Sequence, residues 1–280
     1  MSKQRTSIAR GLFTEIVSRK DEEINLAEAA LTIAAEEYPR LDIPLYLDKL
    51  DRIGDMARER ARGAIDSLDQ ISALNAVLFE ELGFRGNRDK YYDPRNSFLN
   101  EVIDRRTGIP ITLTIVYIEV AKRIGLFIEG VGMPNHFIAR HAAATGDVFI
   151  DVFNGGRLMG EMGCAEMLAE ISKGKLSLQP EHLMAVTKKQ ILTRLMMNLL
   201  GIYSLGDHPR ALSLAERLMI INPDSPQHVR DYGVLLDATG KISSAIEMLE
   251  QYLAMSPDAP DRETVRGEIK TLRQNQARLN

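Results

Sequence analysis

The chain has one cysteine, Cys164, and no tryptophan in 280 residues. A single thiol excludes an intrachain disulfide framework and any zinc site built from several cysteines. Histidine is scarce as well, with five in all. His182, His208 and His228 fall in helical or turn regions, with no carboxylate or cysteine at ligand spacing. No run approaches the roughly 20 apolar residues that span a bilayer. The opening stretch, MSKQRTSIARGLF, holds neither a long apolar segment nor a small-residue cleavage signal. An excess of positive charge is also missing: the net charge is −4 and the pI near 5.8, which gives no general attraction to nucleic acid or anionic membrane. No glycine-rich phosphate loop occurs, and Gly155-Gly156 reads as a turn. These absences predict a cytoplasmic protein with no metal, no cofactor, and no direct contact with nucleic acid or membrane.

What the chain does have is apolar content, 45% of residues, over a length that suits about two domains. Leu26, Ala30, Ile33 and Ala34 line one face of a first helix, which Pro39 stops. Asp42 and Pro44 form an N-cap and early-turn pair for a second, with Leu47, Leu50 and Ile53 inward. Ile71, Leu74, Leu78 and Leu82 predict a third over 67–82, closed by Gly83. The arginines in the run from Ala57 to Gly63 read as a solvated helix end.

The C-terminal third carries a repeat. Gly206, Ala211 and Pro223 recur as Gly240, Ala245 and Pro257, each displaced by 34 residues. That is the tetratricopeptide period. The glycine belongs in the turn between paired helices, the alanine where the helices crowd, and the proline where the unit closes. Repeats are expected over about 192–225 and 226–259, with the charged segment 261–276 as an end cap. Such a unit cannot bury its apolar face alone and is usually a docking surface, so an unidentified protein partner is expected there. Leu195, Met196 and Met197 read as packing against the first repeat.

The middle reads differently. Asp93-Pro94 marks a turn in a polar stretch, and Asn96 or Ser97 is placed to cap a short helix through Ile103. From Pro110, suited to a first helical turn, Leu113, Val116, Tyr117, Val120, Ala121 and Ile124 cover more than one face, which predicts a buried helix. Strand-like runs follow at Phe127–Val131, His136–His141 and Val148–Val152, split by the turn-formers Gly132 to Asn135 and Thr145 to Asp147. A buried helix followed by antiparallel strands is an α+β core. His136 and His141 are odd-spaced on one strand, so they would point to opposite faces and share no metal.

The segments YYDPRNSFLNEVIDRRTGIPITLTIVYIEVAKRIGL, GVGMPNHFIAR and FIDVFNGG resemble the bacterial SirB-type family. That family joins a transglutaminase-like, papain-type core to tetratricopeptide repeats, and an F-box ubiquitin-ligase subunit carries a similar core. The resemblance runs over roughly residues 20 to 260. It implies a helical N-terminal part at 1–88, the transglutaminase-like α+β core at 89–178, and the repeats with their capping helix at 179–280. It also implies a triad at Pro110, His136 and Asp151, with Thr112, Asn96, Asn100, Arg106 and Asn154 around a pocket.

In the parent fold a cysteine at the N-terminus of the buried helix is the nucleophile, activated by a histidine that an aspartate orients. His136 and Asp151 match the last two members, but the nucleophile's position holds Pro110, and proline offers none. Thr112 points roughly 200° away around the helix axis. Cys164 follows the histidine and aspartate in sequence, and beside alanine and methionine it reads as a small buried hydrophobe. Three function classes remain. The first is a non-catalytic interaction scaffold with a degenerate site. The second is a hydrolase or acyl transferase using the His136/Asp151 pair with an unrecognised nucleophile. The third is an indirect regulator of gene expression.

Overall fold

The computed structural model describes residues 2–143 and 146–279, so Thr145 lies outside the described residues. The chain divides into two compact units, Met1–Leu195 and Met196–Asn280. The first begins with helices α1 (Ser2–Ser18), α2 (Leu26–Glu37), α3 (Ile43–Arg60) and α4 (Ser67–Asn75). Short polar side chains start three of them: Asn25 accepts from the Glu28 N–H, Asp42 from Leu45 and Asp66 from Asp69. The expected third helix does not run unbroken to residue 82. It widens after Asn75 into a π-helical turn, Ala76–Glu81, and Gly83 at φ +73 then lets the chain reverse.

Strand β1 (Arg85–Gly86) pairs in parallel with β2 (Thr107–Gly108), and between them lies helix α5 (Leu99–Arg105). Neither Asn96 nor Ser97 caps α5. Phe98 holds the N-cap position, and Asn96 closes a separate turn, Pro94–Asn96, whose own cap is Asp93. Helix α6 (Pro110–Arg123) follows with Pro110 in its first turn and is buried on every face as far as Tyr117.

The sheet that packs on α6 has strands β3 (Glu129–Val131), β4 (Ile138–Ala143), β5 (Gly146–Asp151) and β6 (Arg157–Met159). After β6 come helix α7 (Glu161–Ser172), strand β7 (Ala185–Val186) and helix α8 (Lys188–Tyr203). The order is β6-β5-β4-β3-β7, antiparallel throughout. His136 is not on a strand. The Met133–His136 turn, with Asn135 at φ +60 and the His136 N–H bonded to the Met133 carbonyl, uses it up, and β4 starts two residues later. Gly146 and Asp147, expected in a turn, open β5 instead. The first unit also reaches past the expected boundary at 178/179, because β7 pairs with β3 and completes the sheet.

The second unit contains the C-terminal end of α8, then α9 (His208–Ile221), α10 (Pro226–Ala238), α11 (Ile242–Met255) and α12 (Arg262–Leu279). Helices α9 and α11 begin and end 34 residues apart. Ala211 and Ala245 are fully buried, and Pro223 and Pro257 stand in the links that follow. Gly240 turns at φ +77, whereas Gly206 sits in its turn without a positive φ. Gly233 on α10 lies so close to Leu249 on α11 that a Cβ would stand 3.0 Å from it, so these two helices meet at a glycine. Val265, Ile269 and Leu272 give α12 one buried stripe at helical spacing, with charged residues on the rest. The fold is α+β, followed by an all-helical repeat region.

Candidate functional site

Two buried side chains meet where the turn before β4 faces the end of β5. Nε2–H of His136 donates to Oδ1 of Asp151 at 3.0 Å, and the two residues are 6% and 1% exposed. Asp151 also caps the turn Val152–Asn154. It accepts from the Asn154 backbone N–H at 3.3 Å and from its side-chain amide at 2.5 Å. Burial alone would push the Asp151 carboxyl up. The donors from His136 and Asn154 more than offset it and hold the group below the usual carboxylate range. The other imidazole nitrogen, Nδ1, makes no hydrogen bond among the described residues.

Aromatic and cationic groups frame this pair. Phe153 stands edge-on to His136 at 6.1 Å and to Tyr91 at 6.3 Å. Arg88 lies over the Phe153 ring at 5.6 Å and donates to the Asn154 side-chain carbonyl. Arg194 donates to the carbonyls of Met133 and His136 at 3.0 and 2.8 Å, which fixes the turn that presents the histidine.

The other expected positions separate by what they touch. Pro110 is buried at the start of α6, after Ile109 in extended backbone. Thr112 accepts from the Ile109 N–H at 3.1 Å and donates to the Asn96 carbonyl at 2.7 Å, so its hydroxyl closes the helix start. Asn96 donates to the carbonyls of Lys90 and Tyr91 and accepts from Asn87. Arg106, at φ +53, ends α5 and donates to the Leu82 carbonyl at 2.8 Å. Asn100 is buried with its side-chain oxygen unpartnered, as is the Thr114 hydroxyl. Of the five expected pocket residues, Asn154 alone hydrogen-bonds to the His136–Asp151 pair. Asn96, Thr112 and Arg106 brace loops instead.

Cys164 is fully buried on α7, in a cluster with Val131, Met133, Ile138 and Phe149. Burial pushes its thiol up to about 12, with the charges of Asp151 and Glu161 adding to the effect, so no thiolate is available near neutral pH.

Sequence reasoning missed a brace behind the site. The Tyr117 hydroxyl donates to the Asn75 side-chain oxygen at 3.0 Å, and the Asn75 amide donates to the Gly156 carbonyl at 2.8 Å. The Gly156 N–H in turn donates to the Asp151 carbonyl at 2.9 Å. Gly155 and Gly156 sit at φ +73 and +75, and a Cβ on Gly156 would strike Asn75 and Phe79. The glycine pair was the one signal available. Nothing in the spacing of Asn75 and Tyr117 announces their contact.

Among the described residues no cluster of three or more His, Cys, Asp or Glu could hold a metal ion, and no helix is long and apolar enough to cross a membrane. A model of the transglutaminase-like superfamily matches residues 45–197, and a tetratricopeptide repeat model matches 203–269. A UPF0162 protein of Xylella fastidiosa, strain Temecula1, is 35% identical over 273 residues, 93% of this chain and 94% of that protein. Protein SirB1 of Salmonella typhimurium is 27% identical over 259 residues, 89% of this chain and 93% of its own. F-box only protein 21 of Mus musculus is 34% identical over 140 residues, 47% of this chain and 21% of its own.

Proposed function

The chain belongs to the SirB-type family, in which a transglutaminase-like domain precedes tetratricopeptide repeats, and from that premise we propose that it is a cytoplasmic, non-catalytic scaffold. In this reading the repeats hold a protein partner, and the first unit keeps a degenerate acyl-transfer site. Acyl transfer needs a group that attacks a carbonyl. What supports the reading is the buried Pro110 in the first turn of α6, the position that the resemblance matches to the nucleophile of the parent fold. The chain's one thiol offers no substitute, since Cys164 is sealed in the core and protonated. Any influence on gene expression would then run through the partner.

A second reading rests on the His136–Asp151 bond and the unengaged Nδ1, an arrangement that suits a general base for a nucleophile not yet recognised. Incubation of pure protein with peptide and glutamine-amide substrates separates the two. Losing a triad nucleophile costs several orders of magnitude in rate, so no turnover above background is expected. Robust turnover that survives repurification and disappears in His136→Ala would overturn the scaffold and establish an enzyme.

A further inference from the structure

Strand β3 is covered unequally on its two sides. On one, β4 pairs with all three of its residues, Glu129 with Arg140, Gly130 with Ala139 and Val131 with Ile138. On the other, β7 covers Val131 and Gly130 and then stops, with its last residue, Val186, opposite Gly130. The chain there turns into α8. The Thr187 N–H donates to the Gln190 side chain at 2.8 Å and the Lys188 N–H to Oδ2 of Asp21 at 2.9 Å, so neither pairs with β3. Successive residues of a strand turn their backbone groups to opposite neighbours. Phe127 is turned to β4, since its carbonyl accepts from the His141 ring at 3.0 Å. Ile128 therefore faces the side that β7 has left. Its N–H and C=O make no hydrogen bond among the described residues, although the residue is only 5% exposed. Buried backbone donors and acceptors are nearly always paired, so the sheet lacks a strand at this point.

Ile128 also lines a concavity of about 580 Å³, a volume within the range of ligand sites. Its apolar walls are Leu26 of α2, Ile118 of α6, Val186 of β7 and Ile191 of α8, all in the first unit. A Cβ on Gly130 would stand 3.0 Å from Ile191, so α8 lies hard against β3 where β7 ends. The charged lining selects neither sign. Asp21, Glu22 and Glu129 stand there with Lys122 and Lys188. Of these, Asp21 caps α8, Glu129 is paired with Arg140 at 2.7 Å, and Lys188 donates to the carbonyls of Glu22 and Ile24. What the cleft offers is main-chain hydrogen bonding beside an apolar hollow. An extended peptide meets both demands, because its backbone donors and acceptors lie in the plane of the sheet and its side chains stand out of it.

We propose that this cleft takes an extended, apolar segment of a partner protein, added to β3 beyond the end of β7. The segment bonds to the N–H and C=O of Ile128 and sets one aliphatic side chain among Ile118, Val186 and Ile191. The slot lies within the first unit, so its fate depends neither on the repeats nor on how the His136–Asp151 pair is read. The test uses the full chain and a blocked peptide, acetyl-KTVIVTK-amide, with a copy N-methylated at its three central residues. The plain peptide should bind at one site. At saturation it should slow hydrogen exchange of the Ile128 N–H by about 10-fold or more, with Gly130, already opposite Val186, little changed. The methylated copy, which lacks the main-chain donors, should do neither. Ile118→Trp, which fills the hollow, should weaken the plain peptide about 10-fold with the unfolding temperature little changed. No saturable binding up to about 1 mM, equal binding of the methylated copy, or binding that leaves Ile128 exchange unchanged would each overturn the proposal. So would a protected Ile128 N–H in the protein alone together with a dimer in sedimentation, since a second copy would then fill the gap.

Discussion

Asp151 receives three hydrogen bonds in a place where burial alone would favour its neutral form. Its folded pKa is held below that of the unfolded chain, where Asp titrates near ~3.9. The stability that follows from this is therefore fully present above about pH 4 and is lost as pH falls through the lower, folded value. Urea unfolding midpoints measured at pH 7 and pH 3 should fall further for the natural protein than for Asp151→Asn, which has no carboxylate to protonate. Equal falls would show that another group carries the acid sensitivity. Gly156 provides a companion case. Replacement by Ala should cost roughly 2 kcal/mol or more, from a strained φ together with the collision at Asn75, read as a lowered urea midpoint at pH 7. At this scale the sequence showed chemistry better than support. His136 and Asp151 stand in recognisable motifs, whereas Asn75 and Tyr117 are ordinary residues whose meeting depends on packing across 42 positions.

Helix α6 shows how elements are fastened. Glu119, 4% exposed, accepts from the Ala27 N–H at 3.2 Å with one oxygen and from Arg123 at 2.9 Å with the other. Ala27 is in the first turn of α2, where backbone donors have no partner within the helix. Asn25 serves the Glu28 donor, and a residue 92 positions away serves Ala27. Glu119→Ala should cost about 3 kcal/mol or more, and Glu119→Gln, which keeps an acceptor for Ala27, about half that. Chemical unfolding at pH 7 checks both. If Ala and Gln cost the same, the Ala27 bond carries none of the energy. Elements were legible where one face or cap decided them, as with Asp42, Pro39, Pro110 and the apolar wrap of α6. They were illegible where a neighbour decided. Two residues, Ala185 and Val186, form a strand only because β3 leaves an edge open, and the π-helical turn after α4 has no periodic signature of its own. The strand expected to carry His136 lost it to a turn for a similar reason, since Asn135 accepts a left-handed φ more readily than most residues.

Across the whole molecule the two units obey different rules of length. In the first, β7 closes a sheet begun at β3 with α7 in between, so any insertion must leave both partners in register. In the second, α9 and α11 are copies displaced by a fixed step, and neighbours in sequence are the neighbours in space. Its length therefore comes in quanta. Excision of residues 226–259 would join the end of α9 to the approach of α12, with Ala211 standing in for Ala245 and Ala215 for Leu249. The shortened chain should still unfold cooperatively, though less stably, because Ala215 would fill less of the core than the buried Leu249 does. Ala215→Leu in that background should recover part of the loss in thermal unfolding, and no recovery would mean that the repeats are not interchangeable. A slip in copying the gene that drops or doubles one repeat's worth of codons would then yield another foldable protein. This half of the molecule can lengthen or shorten over generations in single mutational steps that would be ruinous to the sheet.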